Sequence, residues 1–339
     1  MKSIVTLPFL VQVLLIVTFL GIESPSMAQA SQNTGSADAP SQLPRLQDWF
    51  LSTGDWQQDS QLYIREVGQG SETIVMLHGG WGGEHGGFVP AVEHLKNDYH
   101  FVFYDQRGSL RSPSPDSLIT FDRHVEDLEL LRKELNKEKI TIVGHSMGTI
   151  LASAYAMKYP HRIKQLVLLA PASLKNPLPE EDVDLQNKQY QAFEAFMNRP
   201  EVMQEFAKYT LNQTDHPLTS RQETSKFRIN FARRMLFDVS NWSQLTGGRA
   251  MYKGHVFNLT ANTYPENGWD YIQEFKGRTY PVGIIIGDHD FLDFGHQLIE
   301  RWVKEVPRIK LSVIKNAGHI IWLDQPLEFA HALREHLEM

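Results

Sequence analysis

Seven short runs rich in β-branched and aromatic residues recur along the chain, and several are apolar at consecutive rather than alternate positions. They are QLYIREV (61–67), TIVMLHG (73–79), HFVFYDQ (100–106), KITIVG (139–144), IKQLVLLA (163–170), VGIIIGD (282–288) and IKLSVIK (309–315). A strand that is apolar on both faces must be covered on both, which is the condition of a parallel sheet between two layers of helices. The intervening stretches supply such helices. FDRHVEDLELLRKEL (121–135) sets Val125, Leu128, Leu131 and Leu135 on one helical stripe, and the alanine-rich GTILASAYAMKYP (148–160) stops at Pro160. The pattern predicts an α/β fold with a mostly parallel, doubly wound central sheet and helices on both faces.

The rhythm breaks between residues 173 and 280. That stretch lacks β runs and reads as helical and aromatic, carrying Tyr190, Phe193, Phe196, Phe206, Tyr209, Phe227, Phe231, Phe237 and Trp242. A structureless loop of such length does not suit a compact domain. The chain is therefore expected to divide into a first core part (45–172), an inserted, mostly helical cap over the C-terminal edge of the sheet (173–280) and a second core part (281–339). Most of the aromatics are then the cap's own core.

Ahead of the core, Lys2 precedes an almost wholly apolar stretch (4–22), then Pro25 and Ala28-Gln29-Ala30. This is the arrangement of a secretory signal peptide over 1–30, with Ser31 as the first mature residue. A retained anchor is the alternative, since about nineteen apolar residues just suffice to span a bilayer. Residues 31–44 are small and polar and read as a flexible linker. A secreted or periplasmic location follows, without stable membrane insertion once the signal is cleaved. The 339 residues include no cysteine, which removes disulfides, thiol catalysis and lipoprotein acylation. A net charge of −7 and no run of Lys and Arg longer than two exclude a nucleic-acid partner. Sequons at Asn212, Asn241 and Asn258 matter only in a host that glycosylates.

One pentapeptide carries a candidate nucleophile: Gly144-His145-Ser146-Met147-Gly148. Such a match arises by chance in about one chain in ten of this length, so its surroundings decide. A β run enters it and an apolar helical stretch leaves it, which is the strand–turn–helix of a nucleophile elbow. A serine hydroxyl needs a base, and the base needs an orienting carboxylate. Both follow later runs in the order that such an elbow requires. VGIIIGDHD ends in Asp288 and Asp290, and LSVIKNAGH ends in His319. The Gly-x-x-Asp spacing favours Asp290 over Asp288. The catalytic set is thus Ser146, Asp290 and His319. LHGGWGGEHGGF (77–88) follows the 73–77 run, where main-chain N–H groups can turn inward as an oxyanion hole. Its donors are expected to be the amides of Gly80 and Met147, with Trp81 as the fallback for Gly80. Trp81, Glu84 and His85 are further candidates for substrate contact. No phosphate-loop pattern fits these glycines.

Other charged clusters read as solvated or structural. His289, Asp293 and His296 near Asp290 lack the spacing of a metal motif. Glu180, Glu181, Asp182 and Asp184 form an acidic turn, or alternatively an anchor for a substrate ammonium. No cofactor and no metal are expected.

Taken together, HGGWGG, FYDQRGSLRS (103–112), GHSMGT, GDHD and AGHIIWLDQP resemble an α/β-hydrolase, over about 61–171 and 281–337. Within that superfamily the chain is similar to the proline iminopeptidase-like peptidases and esterases. It departs from the peptidases at Trp81, where they have proline, and at Leu110, where they have a small residue. It departs again at His145 and Met147, where they carry Gly-Gly-Ser-Trp-Gly. The resemblance implies a structural role for Asp105 and Arg107, and a substrate that is a small molecule or short peptide. The leading expectation is a serine hydrolase cleaving an amide or ester, with aminopeptidase action as one version. A carboxylesterase or lactonase acting on small esters is the other. A non-catalytic ligand-binding homologue, and lyase or haloperoxidase chemistry on the same triad, are further alternatives.

Overall fold

The computed structural model describes residues 46–54, 60–212, 216–292, 295–306 and 308–339. The expected signal peptide and linker (1–44) and Asp293 lie outside these residues. Eight strands form one sheet: β1 (Asp48–Ser52), β2 (Gln61–Val67), β3 (Thr73–Leu77), β4 (His100–Tyr104), β5 (Ile140–His145), β6 (Ile163–Leu169), β9 (Val282–Gly287) and β10 (Ile309–Ile314). Two further strands, β7 (Lys175–Asn176) and β8 (Trp269–Asp270), pair only with each other. The order in the main sheet is β1-β2-β4-β3-β5-β6-β9-β10. Only β2 runs against its neighbours; the six strands from β4 to β10 are parallel.

The two-sided apolar runs behave as their composition demands. Every residue of β4, β5 and β9 is buried. Alternate side chains go to opposite faces. Val75, Leu77, Val102, Ile142, Leu168 and Ile284 join one core cluster, while Ile74, Met76, Phe101, Val143, Val167 and Ile285 join the other. Helix α1 (Phe121–Glu134) and helix α2 (Met147–Lys158) close the first face with Val125, Leu128, Leu131, Leu151 and Tyr155. The Thr120 side chain accepts from the Arg123 N–H and caps α1. The second face is closed by Phe329 and Leu333 of the carboxy-terminal helix (Pro326–Leu337), among others.

Register aligns the strand ends. Leu77 pairs with both Tyr104 and Gly144, and His145 pairs with Leu169. The loops after β3, β4, β5, β6, β9 and β10 therefore leave the same edge of the sheet, where open α/β folds carry their sites.

Between β6 and β9 the chain is mostly helical: α3 (Val183–Met197), α4 (Pro200–Lys208), α5 (Ser220–Met235), α6 (Gly254–Ala261) and α7 (Tyr271–Phe275). After β9 come α8 (Gly295–Val303), α9 (Ile321–Asp324) and α10 (Pro326–Leu337). Phe196 and Phe206 are buried, whereas Tyr190, Tyr209 and Phe231 face outward. No helix among the described residues is long and apolar enough to cross a membrane.

One buried ion pair fastens the loop after β4 to α1. Arg107 Nε donates to Asp127 Oδ2 at 2.9 Å, Nη2 donates to Asp127 Oδ1, and Nη1 reaches Ser60 Oγ at 3.0 Å. Both ionic side chains are about 1% exposed. Removing one partner strands the other charge in the interior. Arg107→Ala is expected to lower the unfolding free energy by about 3–5 kcal/mol in urea titrations.

Candidate active site

Ser146 occupies the single-residue turn between β5 and α2, at φ 52° and ψ −122°. This is a sparsely populated conformation for a residue with a side chain, costing about 1–3 kcal/mol, and it persists only where the surroundings enforce it. Here they do. The Ser146 N–H donates to Leu169 O at 3.0 Å, and its carbonyl accepts from Thr149 N–H at 2.9 Å and Thr149 Oγ1 at 2.6 Å. The two flanking glycines have a steric cause. A Cβ on Gly144 would lie 2.6 Å from Gly148 O, and one on Gly148 would lie 2.5 Å from Leu77 O. Main chain packs against main chain there, with no room for a methyl group.

The loop after β3 is pressed against this turn. A Cβ on Gly79 would fall 2.8 Å from Ser146 Cβ. Gly80 takes φ +70°, and its carbonyl accepts from Gly83 N–H at 2.8 Å. His78 holds the peptide between Gly79 and Gly80. Its Nε2 accepts from Gln106 N–H at 3.1 Å, so Nδ1 carries the proton and donates to Gly79 O at 3.1 Å. Burial is the main cause that lowers the His78 pKa and keeps the ring neutral. Met147 is the first residue of α2, where main-chain N–H groups have no partner inside the helix.

The side chains of Trp81, Glu84 and His85 are tied into the scaffold of this loop. The Trp81 indole is wholly buried, donates to Tyr264 OH, and stacks on His124 at 4.9 Å between ring centroids. Glu84 accepts from Gly86 N–H at 2.8 Å and from Arg111 Nη1 at 3.0 Å. His85 meets Asp105 Oδ1 through Nδ1 at 2.6 Å and stacks on Tyr63. Burial alone would raise the Asp105 carboxyl, but the His85 hydrogen bond and the neighbouring His78 and His85 rings hold it at about 2. Glu84, His85 and Asp105 form the one potential metal-ligand cluster among the described residues. The Arg111 guanidinium already lies on both of its carboxylates, at 3.0 and 3.3 Å.

Of the two aspartates after β9, Asp290 faces His319. His319 Nδ1 lies 3.0 Å from both Asp290 oxygens, and both side chains are buried. Asp288 instead meets His289 Nδ1 at 2.6 Å and accepts from Ala317 N–H at 3.3 Å. The loop carrying His319 is fastened on every side. His289 N–H donates to Ala317 O at 2.9 Å, and Ile320 N–H donates to Met235 O at 3.0 Å. Asp324 Oδ2 accepts from Gly318 N–H at 2.9 Å. His145 Nε2 lies 3.1 Å from His319 O, and the two rings are 4.8 Å apart. A carbonyl can only accept, so His145 is the donor. Burial, followed by the charge of His319, pushes the His145 pKa well down and keeps this donor ring neutral.

His145, Asp324 and Tyr252 were not singled out as functional from the sequence. His145 sits in the motif that identified Ser146, and its histidine identity was a usable signal. Tyr252 lies in an aperiodic stretch, yet its Cε2 is 3.6 Å from the place a Cβ on Gly80 would occupy. Lys253 N–H donates to Gly82 O at 2.9 Å and anchors this stretch on the glycine loop.

A family model described as the alpha/beta hydrolase fold matches residues 72–326. The chain belongs to the alpha/beta hydrolase family and is a hydrolase of that family. A proline iminopeptidase of Saccharolobus solfataricus is 26% identical over 283 residues, covering 79% of this chain and 85% of the relative. A thermophilic esterase from Thermogutta terrifontis has the same fold, with a TM-score of 0.58 at 19% identity over 86% of this chain and 98% of that one. A proline iminopeptidase-related protein from Thermus thermophilus gives 0.58 at 21% identity, covering 87% and 98%.

The contact between Gly79 and Ser146 sets an expectation. Gly79→Ala must push the glycine loop or the serine aside, and displacements near 1 Å cost about 10²-fold. The kcat/KM for a nitrophenyl ester is expected to fall by about that factor, with the far-UV circular dichroism spectrum unchanged.

Proposed function

We propose that the protein is a serine hydrolase working through an acyl-enzyme on Ser146, His319 and Asp290. The observation that carries this reading is the buried contact of both Asp290 oxygens with His319 Nδ1, with His319 O bonded to His145, the residue before a serine held at φ 52°. With Nδ1–H directed at Asp290, the other ring nitrogen is the base that takes the Ser146 proton as Oγ attacks the acyl carbonyl. The same nitrogen then delivers that proton to the leaving group, and water repeats the sequence to release the acid. The Asp290 carboxylate fixes the tautomer and stabilises the imidazolium. The amides of Gly80 and Met147 are assigned as donors to the oxyanion. The stretch 173–280 serves as a cap over the site, a role supported by Tyr252 beside Gly80.

The substrate class is a small ester with an uncharged acyl group. An aminopeptidase must hold a free ammonium against an acidic group, and a buried carboxylate already paired in the resting protein is a weaker anchor for it. Among the described residues, the buried carboxylates are Asp105, Asp127, Glu129, Asp182, Glu205 and Asp290. Each already faces a cationic side chain, an indole N–H or a histidine. Aminopeptidase action is the second reading, favoured by the 26% identical proline iminopeptidase. The protein acts after export, as residues 1–30 imply, and sequencing the mature amino terminus from the native host is expected to start at Ser31.

Purified enzyme is expected to hydrolyse nitrophenyl butyrate in preference to proline nitroanilide at matched concentration. Asp290→Asn is expected to lower kcat by about 10²–10⁴-fold, and Ser146→Ala by more than about 10³-fold. Equal turnover by Ser146→Ala and the parent would exclude the mechanism, and preference for the anilide would restore the peptidase reading.

A further inference from the structure

The carboxy end of α5 and the His319 loop meet as main chain against main chain. A Cβ on Gly318 would lie 2.6 Å from Met235 O and 3.0 Å from Phe237 N. One carboxylate joins them. Asp324 Oδ2 accepts from Gly318 N–H at 2.9 Å and from Phe237 N–H at 2.8 Å, and Oδ1 accepts from Asp238 N–H at 3.1 Å. The opposite side of the same peptides is held by Arg199. Its Nη2 donates to Leu236 O at 2.8 Å and Phe237 O at 3.1 Å, and its Nη1 donates to Phe196 O and Arg233 O. Residues 236–238 are thus strung between a guanidinium on their carbonyl side and a carboxylate on their N–H side. Bonds to ionised groups are the stronger class, so this segment is a rigid abutment for Gly318 and, one residue on, for His319.

We propose that Asp324 is a positioning residue for His319, fastening the histidine loop to residues 236–238 so that the base is placed only when the end of α5 is seated. The proposal rests on the serine-hydrolase reading above. Asp324 itself touches no reacting atom: it acts through the Gly318 N–H and the peptide that leads into His319. An alanine at 324 leaves three N–H groups without their acceptor. An asparagine keeps one oxygen for Gly318 and Phe237 and loses the Asp238 bond, because its amide N–H₂ would face another donor.

The test compares Asp324→Ala, Asp324→Asn, Ser146→Ala and the parent on nitrophenyl butyrate, each normalised to folded protein by circular dichroism. The rate of Ser146 labelling by a fluorophosphonate is followed in parallel. Asp324→Ala is expected to lose about 10²-fold in kcat and in labelling rate with KM within about threefold, the split expected when alignment rather than binding is lost. Asp324→Asn is expected to recover most of that loss. Parent-like kcat in Asp324→Ala overturns the proposal. So do equal losses in both variants, and a loss that vanishes on normalisation to folded protein. If Ser146→Ala keeps parental turnover, the underlying mechanism fails whatever Asp324 does.

Discussion

Everything at the Ser146 edge of the sheet depends on how closely three backbones approach there. The end of β3, the turn after β5 and the first residues of α2 come together with carbonyl oxygens where Cβ atoms would otherwise lie. Gly148 against Leu77 O sets the helix on the strand, Gly144 against Gly148 O closes the turn, and Gly79 brings the glycine loop onto Ser146. A side chain at any of these positions would move the serine away from the loop that faces it. The strained serine is then a consequence of the packing: with strand and helix axes fixed, one residue must reverse the chain, and hydrogen bonds from both sides keep it there.

Histidine–carboxylate contacts recur across the molecule, so the His319–Asp290 pair is distinguished by position. His100 meets Glu66 at the start of β4, the opposite edge of the sheet from the elbow. His85 is buried under Tyr63 and shares Asp105 with Arg111. His289 packs on Phe237 and is joined to Asp288, which is also bound by Ala317 N–H. Among the described residues, only the pair after β9 and β10 has its histidine tied to the residue that precedes Ser146, His145. The neighbouring His145 ring, 4.8 Å from His319, is pushed well down by burial. A neutral His145 places no positive charge beside the His319–Asp290 pair.

The fold was legible because two-sided apolar runs can satisfy their burial in few ways. Strands at 61–67, 73–77, 100–104, 163–169 and 282–287 lie inside the runs read from composition. β1 was not legible: DWFLS is short, pairs on one side only and has a single buried residue, so no period marks it. Spacing favours Asp290 over Asp288, and of the two it is Asp290 that contacts His319. Asp288 follows β9 directly and folds back on Ala317, whereas Asp290 lies far enough along the loop to reach across to His319. The engagement of Trp81, Glu84 and His85 was not legible. Their partners Tyr264, Arg111 and Asp105 lie up to 183 residues away in the chain, and local sequence carries no record of such pairings.

The stretch between β6 and β9 is, for the same physical reason, no detachable ornament on the sheet. Ile320 N–H is satisfied by Met235 O, and the Asp324 carboxylate that holds Gly318 is also occupied by Phe237 and Asp238. Tyr252 and Lys253 lie on the glycine loop that faces Ser146. Buried main-chain donors left without acceptors cost about 1–3 kcal/mol each, comparable to the strain stored at Ser146. The stretch between β6 and β9 therefore supplies hydrogen bonds that hold the His319 loop and the glycine loop, and a change in one is felt in the other.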